Sequence, residues 1–273
     1  MKTKGTTYGL KYDWDAKTYD RISDVIESWG HKTIERRKWK GNEIVLDAGC
    51  GSGRLTKILS IKVPHGKVFA VDFDLSMIRL AKENLTKISN IQFIKMDISE
   101  IELAEKVDVV FSNAVLHWIL NHKKVFEQFW QILKPDGQLL VQCGRYGNLT
   151  KTLSILNKVR KSKEFYNYFC NNKGEDIWNE PWYFARKEDT EKILQEIGFR
   201  NKVFLENKEA KFHNKEEYFL YIKTIVLIPY LKYLPNEMLK ERFAKSIVEE
   251  IETNAKELQW KLDYVRLNIH AIK

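Results

Sequence analysis

Glu43-Ile44-Val45-Leu46-Asp47-Ala48-Gly49-Cys50-Gly51-Ser52-Gly53-Arg54-Leu55-Thr56 opens on a short apolar run, meets one acid and then carries glycine at every second position. Beyond it Leu55, Ile58 and Leu59 begin an apolar helical spacing. A buried strand feeding a glycine turn and then a helix is how a parallel α/β sheet receives a nucleotide-like ligand. Glycine suits the turn because the bend is tight and a ligand must approach bare backbone. The turn alone leaves the ligand open, since several nucleotide-type ligands use one.

Outward from this stretch, strands and helices alternate. Strands are predicted at Glu43–Asp47, Lys67–Asp72, Ile91–Lys95, Val107–Ser112 and Gln138–Cys143. The fourth is almost continuously apolar, as a parallel strand covered on both faces should be. Helices are predicted at Leu55–Ser60, at Ser76–Leu85 with Asp74 or Ser76 as cap, and along Val125, Phe126, Phe129, Ile132 and Leu133. Lys134-Pro135-Asp136-Gly137 reads as a helix stop. Upstream, Tyr12 to Lys40 reads as one or two helices over the mouth of the sheet. The alternation then breaks. Asn148 to Phe169 reads as helical and partly basic, and Trp178 to Phe184 as an aromatic loop. Asp189–Ile197 reads as a helix ended by Gly198, Glu216–Tyr233 as an apolar helix interrupted at Pro229, and Pro235–Glu257 as another helix. Lys202–Glu206 and Leu262–Ala271 read as late strands.

The 273 residues can bury one large core, and 44% hydrophobic with 30% charged residues is an ordinary soluble profile. No apolar run approaches the roughly 20 residues of a spanning helix. Met1 to Gly5 lacks the apolar centre of a signal peptide, so a cytoplasmic location is expected. Cys50, Cys143 and Cys170 are widely spaced and odd in number, which suggests neither disulfides nor a zinc cluster, and no metal is expected. Lys and Arg total 46 against 37 Asp and Glu, a net charge of +9. Such a balance fits nucleic acid, an anionic surface or acidic small molecules. The two dense basic stretches, 35–40 and 158–163, lie on predicted helices and are read first as solvated faces, which charge runs usually are.

Four features narrow the ligand. Asp72 closes the second strand, where a carboxylate can accept both hydroxyls of a ribose or merely cap the next helix. Asp47 places a negative charge before the glycine turn, which suits an ammonium or sulfonium and disfavours a pyrophosphate. Asp97 follows the third strand, where it can accept from an adenine amino group, with Ile98 packed on the ring; a turn cap is the alternative. Phe111-Ser112-Asn113-Ala114 ends the fourth strand at the lip of the sheet.

With these residues in place, Ile44 to Gly144 resembles the class I S-adenosylmethionine-dependent methyltransferases. The resemblance implies a Rossmann-like, seven-stranded, mostly parallel sheet with an antiparallel last strand and helical lid insertions. It implies that Asp47, Gly49, Gly51 and Gly53 surround the methionine part of S-adenosyl-L-methionine, with Cys50 in the same loop. Asp72 would bind the ribose beside Phe73, Asp97 and Ile98 the adenine, and Asn113 would border the transferred methyl. The expected organisation is one domain over 1–273. A helical cap (1–42) precedes the cofactor core (43–147), lids occupy 148–186 and 212–258, and 187–211 with 259–273 complete the core.

The acceptor is less determined. Asn113-Ala114-Val115-Leu116 replaces the Asn/Asp-Pro-Pro-aromatic signature of adenine N-methyltransferases. The run to Ile119 is instead similar to trans-aconitate methyltransferase and related small-molecule carboxyl and hydroxyl methyltransferases. Trp14 to Tyr19, Pro181 to Phe184 and Asp263 to Asn268 also resemble that group. A small-molecule acceptor is therefore expected, with Tyr12, Trp14, Tyr19, Trp118 and Trp182 around it. Arg145 and Arg186 are candidates for holding a carboxylate, and His117 for a base toward a hydroxyl. The alternative readings are an RNA- or tRNA-directed methyltransferase, carried by the charge and the Arg160-Lys161 region, and a non-catalytic nucleoside-binding protein. Ile222 to Leu231 is too apolar for a solvated helix and is expected to close over the acceptor or to form core or homodimer contacts.

Overall fold

A computed structural model describes residues 14–273. In chain order the elements are α1 (Ala16–Ile22), α2 (Asp24–Ile34), β1 (Ile44–Ala48), α3 (Arg54–Lys62), β2 (Lys67–Asp72), α4 (Leu75–Asn84), β3 (Ile91–Lys95) and β4 (Val107–Asn113). There follow α5 (His122–Ile132), β5 (Leu133–Gly144), α6 (Thr150–Arg160), α7 (Lys187–Ile197), β6 (Arg200–Lys211), α8 (Lys215–Tyr221), α9 (Ile228–Leu231), α10 (Glu237–Asn254) and β7 (Lys261–Ile272). The seven strands form one sheet in the order β3-β2-β1-β4-β5-β7-β6. β1 pairs in parallel with β2 and β4, β2 with β3, and β4 with β5, whereas β7 runs antiparallel to β5. The expected seven-stranded, mostly parallel α/β sheet is therefore present. Its strand order reverses between β1 and β4, and ligands bind such sheets at the strand C-termini of that switch point.

The chain divides into two compact units. The first comprises 14–146, 182–206 and 266–273, and the second 147–181 and 207–265. In the first, alternate strand residues feed opposite faces. Leu46, Ala48, Phe69, Val71 and Val110 pack with Phe126 and Phe129 of α5 and Leu194 of α7. Val45, Val68 and Val109 pack with Ile34 of α2, Leu59 of α3 and Val63 just beyond it. Burying each phenylalanine stabilises the fold by about 2 kcal/mol. Asp74 starts α4 by accepting from the amides of Ser76 and Met77, and Asn121 starts α5 by accepting from that of Lys124.

The second unit departs most from the sequence reading. The helix expected over Asn148 to Phe169 ends at Arg160, with only a 3-10 turn at Tyr166–Phe169. Pro229 does not interrupt a long helix but sits in the first turn of α9, where its missing N–H costs nothing. The break lies upstream, in a π-helical turn at Ile222–Val226. Ile222, Ile225, Val226, Leu227 and Tyr230 are all buried, so this stretch is core within the chain.

Arg160, proposed from sequence as part of a basic surface, is 3% exposed. It donates to Asp176 at 2.7 Å and lies 5.6 Å from the ring centres of Phe169 and Trp178. Lys158 of the same stretch pairs with Glu250. Arg160→Ala is expected to destabilise the protein by about 2–3 kcal/mol, chiefly through the cavity left beside Phe169 and Trp178. Urea unfolding of the full chain measures this, and a surface role would predict no change. Among the described residues no helix is long and apolar enough to cross a membrane.

Candidate active site

The C-terminal ends of β1 and β4 open onto a small cleft that is partly open to solvent. Asp47, Gly49, Cys50 and Gly51 line it from the loop after β1, and Phe111 and Asn113 from β4. Gly49, Gly51 and Gly53 all have positive φ (87°, 55° and 89°), so the loop folds with its backbone bare. At Gly49 a Cβ would lie 2.2 Å from Val115 Cγ2, which shows how closely the loop and the lip of β4 approach. Gly51 faces open space, with nothing within 4 Å of a Cβ built there.

Electrostatics follow from burial. Asp47 is 1% exposed and accepts from Thr56 Oγ1 at 2.6 Å. Burial pushes its carboxyl up to about 7, against that hydrogen bond and with help from nearby Asp72. Asp72 accepts from the Gly51 amide at 2.9 Å and the Asp74 amide at 2.8 Å, and burial lifts it to about 6. Cys50 is buried and its thiol is raised well above the ordinary value, so it fills space and is no nucleophile. Asn113 donates from Nδ2 to the carbonyl of Ile26, while its buried Oδ1 has no partner among the described residues. An orphaned carbonyl oxygen and a buried carboxylate around bare backbone fit a cationic, amino-acid-like ligand.

Asp97 accepts from the Ser99 amide at 2.7 Å and is only partly buried. Ile98, expected beside the adenine, is 1% exposed and packs in the core with Leu46 and Phe69. Phe73 lies partly buried between Asp72 and the α4 cap.

The acceptor candidates separate into two groups. Tyr12 lies outside the described residues. Tyr19 lines the cavity and meets Trp14 at 5.5 Å; Trp14 meets Trp118 at 5.6 Å, and Trp118 meets Trp182 at 5.8 Å. Four residues from three distant segments thus form one aromatic wall. Arg145 follows β5 and its buried Nε has no partner among the described residues, whereas Arg186 is exposed over the Tyr146 ring at 3.7 Å. His117 lies in a 3-10 turn, Leu116–Trp118, after Ala114 takes a positive φ of 60°. That strained backbone turns the chain away from the strand at its functional end.

Sequence reading missed the floor contributed by the cap. Ser23, Ile26 and Glu27 line the cavity with Ser52, Arg54 and Leu55. Arg54 bonds Asp24 and Glu27, and Ser52 donates to Asp20, so acids of α1 and α2 hold the glycine loop. The acidic series Asp20, Asp24 and Glu27 was the available signal.

A methyltransferase-domain family model matches residues 40–260. The chain belongs to the class I S-adenosylmethionine-dependent methyltransferases. It is therefore an enzyme, and its cofactor is S-adenosylmethionine. Malonyl-[acyl-carrier protein] O-methyltransferase of Priestia megaterium is 34% identical over 143 residues, 51% of each chain. Trans-aconitate 2-methyltransferase of Rhodopseudomonas palustris is 33% identical over 130 residues, 48% of this chain and 50% of that one. The chain thus spans about half the length of these relatives. Phosphoethanolamine N-methyltransferase 2 of Haemonchus contortus, solved with phosphomonomethylethanolamine and S-adenosylhomocysteine, shares the fold. Its TM-score is 0.59 at 18% identity, over 94% of this chain and 56% of that one.

Proposed function

We propose that this methyltransferase esterifies a carboxylate of a small molecule. The observation that carries the reading is Arg145, a cation at the C-terminal end of β5 whose buried Nε has no partner among the described residues. A buried donor without a partner costs about 1–3 kcal/mol, so it is poised for an anion. The relatives named for malonyl-carrier and trans-aconitate methylation support the same class. Bound S-adenosylmethionine supplies a methyl group on a sulfonium. The chain's part is alignment and exclusion of water, because a carboxylate is already nucleophilic. Asp47, Gly49, Gly51 and Asn113 would hold the methionine part, Asp72 the ribose and Asp97 the adenine side. Trp14, Tyr19, Trp118 and Trp182 would wall the acceptor.

Incubation with methyl-labelled cofactor and a panel of organic acids, including trans-aconitate and malonyl-loaded carrier protein, tests this. The label is expected in a base-labile ester. Arg145→Ala should lower acceptor kcat/KM about 10–100-fold and leave S-adenosylhomocysteine affinity unchanged. Base-stable label would refute the proposal.

A further inference from the structure

We infer that His117 serves the acceptor as a hydrogen-bond donor through Nε2–H, beside Arg145 on one carboxylate, and not as a general base. The inference rests on the carboxylate reading above. The Gly144 amide lies 3.3 Å from His117 Nδ1 and can only donate. Nδ1 therefore spends its lone pair on the backbone, and the proton of the neutral ring sits on Nε2. Nothing among the described residues pairs with Nε2, and the residue is only half-buried. The ring is fixed from several sides. Phe184 stacks on it at 6.0 Å, Trp118 lies at 5.5 Å, and the His117 carbonyl accepts from the Tyr183 amide at 3.0 Å. Trp118 continues the aromatic wall to Tyr19 in the cavity, and Arg145 immediately follows the Gly144 amide that sets the tautomer.

Burial above all keeps the ring neutral. Burial holds its pKa well below the usual histidine value, and Arg266 on β7 and His122 on α5 push the same way. A neutral donor orients a carboxylate without taking its charge. The acceptor oxygen forms the O–CH3 bond as the C–S bond breaks with its electron pair staying on sulfur. No proton leaves the acceptor, and a base has nothing to remove.

Nitrogen-15 NMR of histidine-labelled protein reads the tautomer directly, with His117 assigned as the signal lost in His117→Gln. The expected signal is Nε2-protonated and constant between about pH 6 and pH 8. A proton on Nδ1, or titration in that window, overturns the inference. For ester formation with the acid found by the panel, His117→Gln, whose amide can donate from the Nε2 position, should stay within about tenfold of the parent. His117→Ala should lose roughly 30–100-fold, mostly in acceptor KM. Both variants should keep the parent's S-adenosylhomocysteine affinity, which a purely structural role would not predict. Ester formation that fails equally in Gln and Ala, or a neutral-pH limb abolished by His117→Gln, refutes the donor role alone. Base-stable label removes the carboxylate reading instead.

Discussion

Replacing Gly49 by alanine is expected to abolish detectable S-adenosylhomocysteine binding and to lower stability, whereas Gly51→Ala should abolish binding at a smaller cost in stability. At Gly49 the backbone sits at φ 87°, a region that costs an L side chain about 1–2 kcal/mol. The new methyl would also stand 2.2 Å from Val115 Cγ2, 2.9 Å from Cγ1 and 3.1 Å from Cβ. Rotation offers no escape, since a β-branched side chain is stiff at χ1. Either the glycine loop or the lip of β4 must move, and these two carry Asp47 and Asn113. A misplacement on the order of 1 Å can cost 100-fold, and the combined penalty of about 2–4 kcal/mol should lower Tm by several degrees. Gly51 is the control. Its φ of 55° lies in the left-handed region that L residues can reach, and a Cβ there meets nothing within 4 Å. Its methyl should occupy ligand space and, with backbone strain but no clash to bear, lower Tm by less than the Gly49 change does. Calorimetry with S-adenosylhomocysteine and a thermal melt of each variant decide the matter. Gly49→Ala binding within about threefold of the parent would show that the loop does not hold the ligand as inferred.

What the sequence disclosed and what it hid divide along a physical line. Strands ending in an acid or amide were visible because period and charge are local, and they delivered Asp47 and Asn113 to one cavity. The glycine turn was visible for the same reason. Contacts made by backbone groups carry no side-chain signature. The Gly144 amide on His117 Nδ1 could not be read from residue types, although it decides what that ring can do. Tertiary choices were equally hidden. The burial of Ile98 among Leu46 and Phe69 is a tertiary fact that its neighbour Asp97 did not announce. Ser23, Ile26 and Glu27 reach the cavity only because α2 folds back over the glycine loop, with Gly30 packed so tightly that a Cβ would lie 2.3 Å from Leu55. Arg160 read as surface charge because helical position alone does not reveal that Phe169, Trp178 and Asp176 cover it.

Asp47→Asn is expected to stabilise the ligand-free protein at alkaline pH while weakening cofactor binding. The native carboxyl titrates at about 7, against about 3.9 in an unfolded chain. The folded protein therefore holds a proton that the unfolded chain has released between those values. Stability contributed by this group falls as pH rises from about 4 to about 7, and the loss is complete above that range. Asparagine retains an oxygen for the Thr56 hydroxyl, removes the buried charge and removes this fall. Its Tm should thus exceed the parent's at about pH 8 and converge with it near pH 4. Ligand binding has the opposite sign. A cationic ammonium beside Asp47 favours the ionised carboxylate, so parental affinity for S-adenosylhomocysteine should rise with pH through the range 6–7 and then flatten. The variant should bind roughly 10–100-fold more weakly at about pH 8. It should keep a shallower slope, because Asp72, at about 6, still titrates. Calorimetry in two buffers of different ionisation enthalpy would register less proton release for the variant than for the parent. Equal affinity and equal proton release in the two proteins would remove Asp47 from the cofactor site, whereas a lower alkaline Tm would mean that its buried charge stabilises the fold.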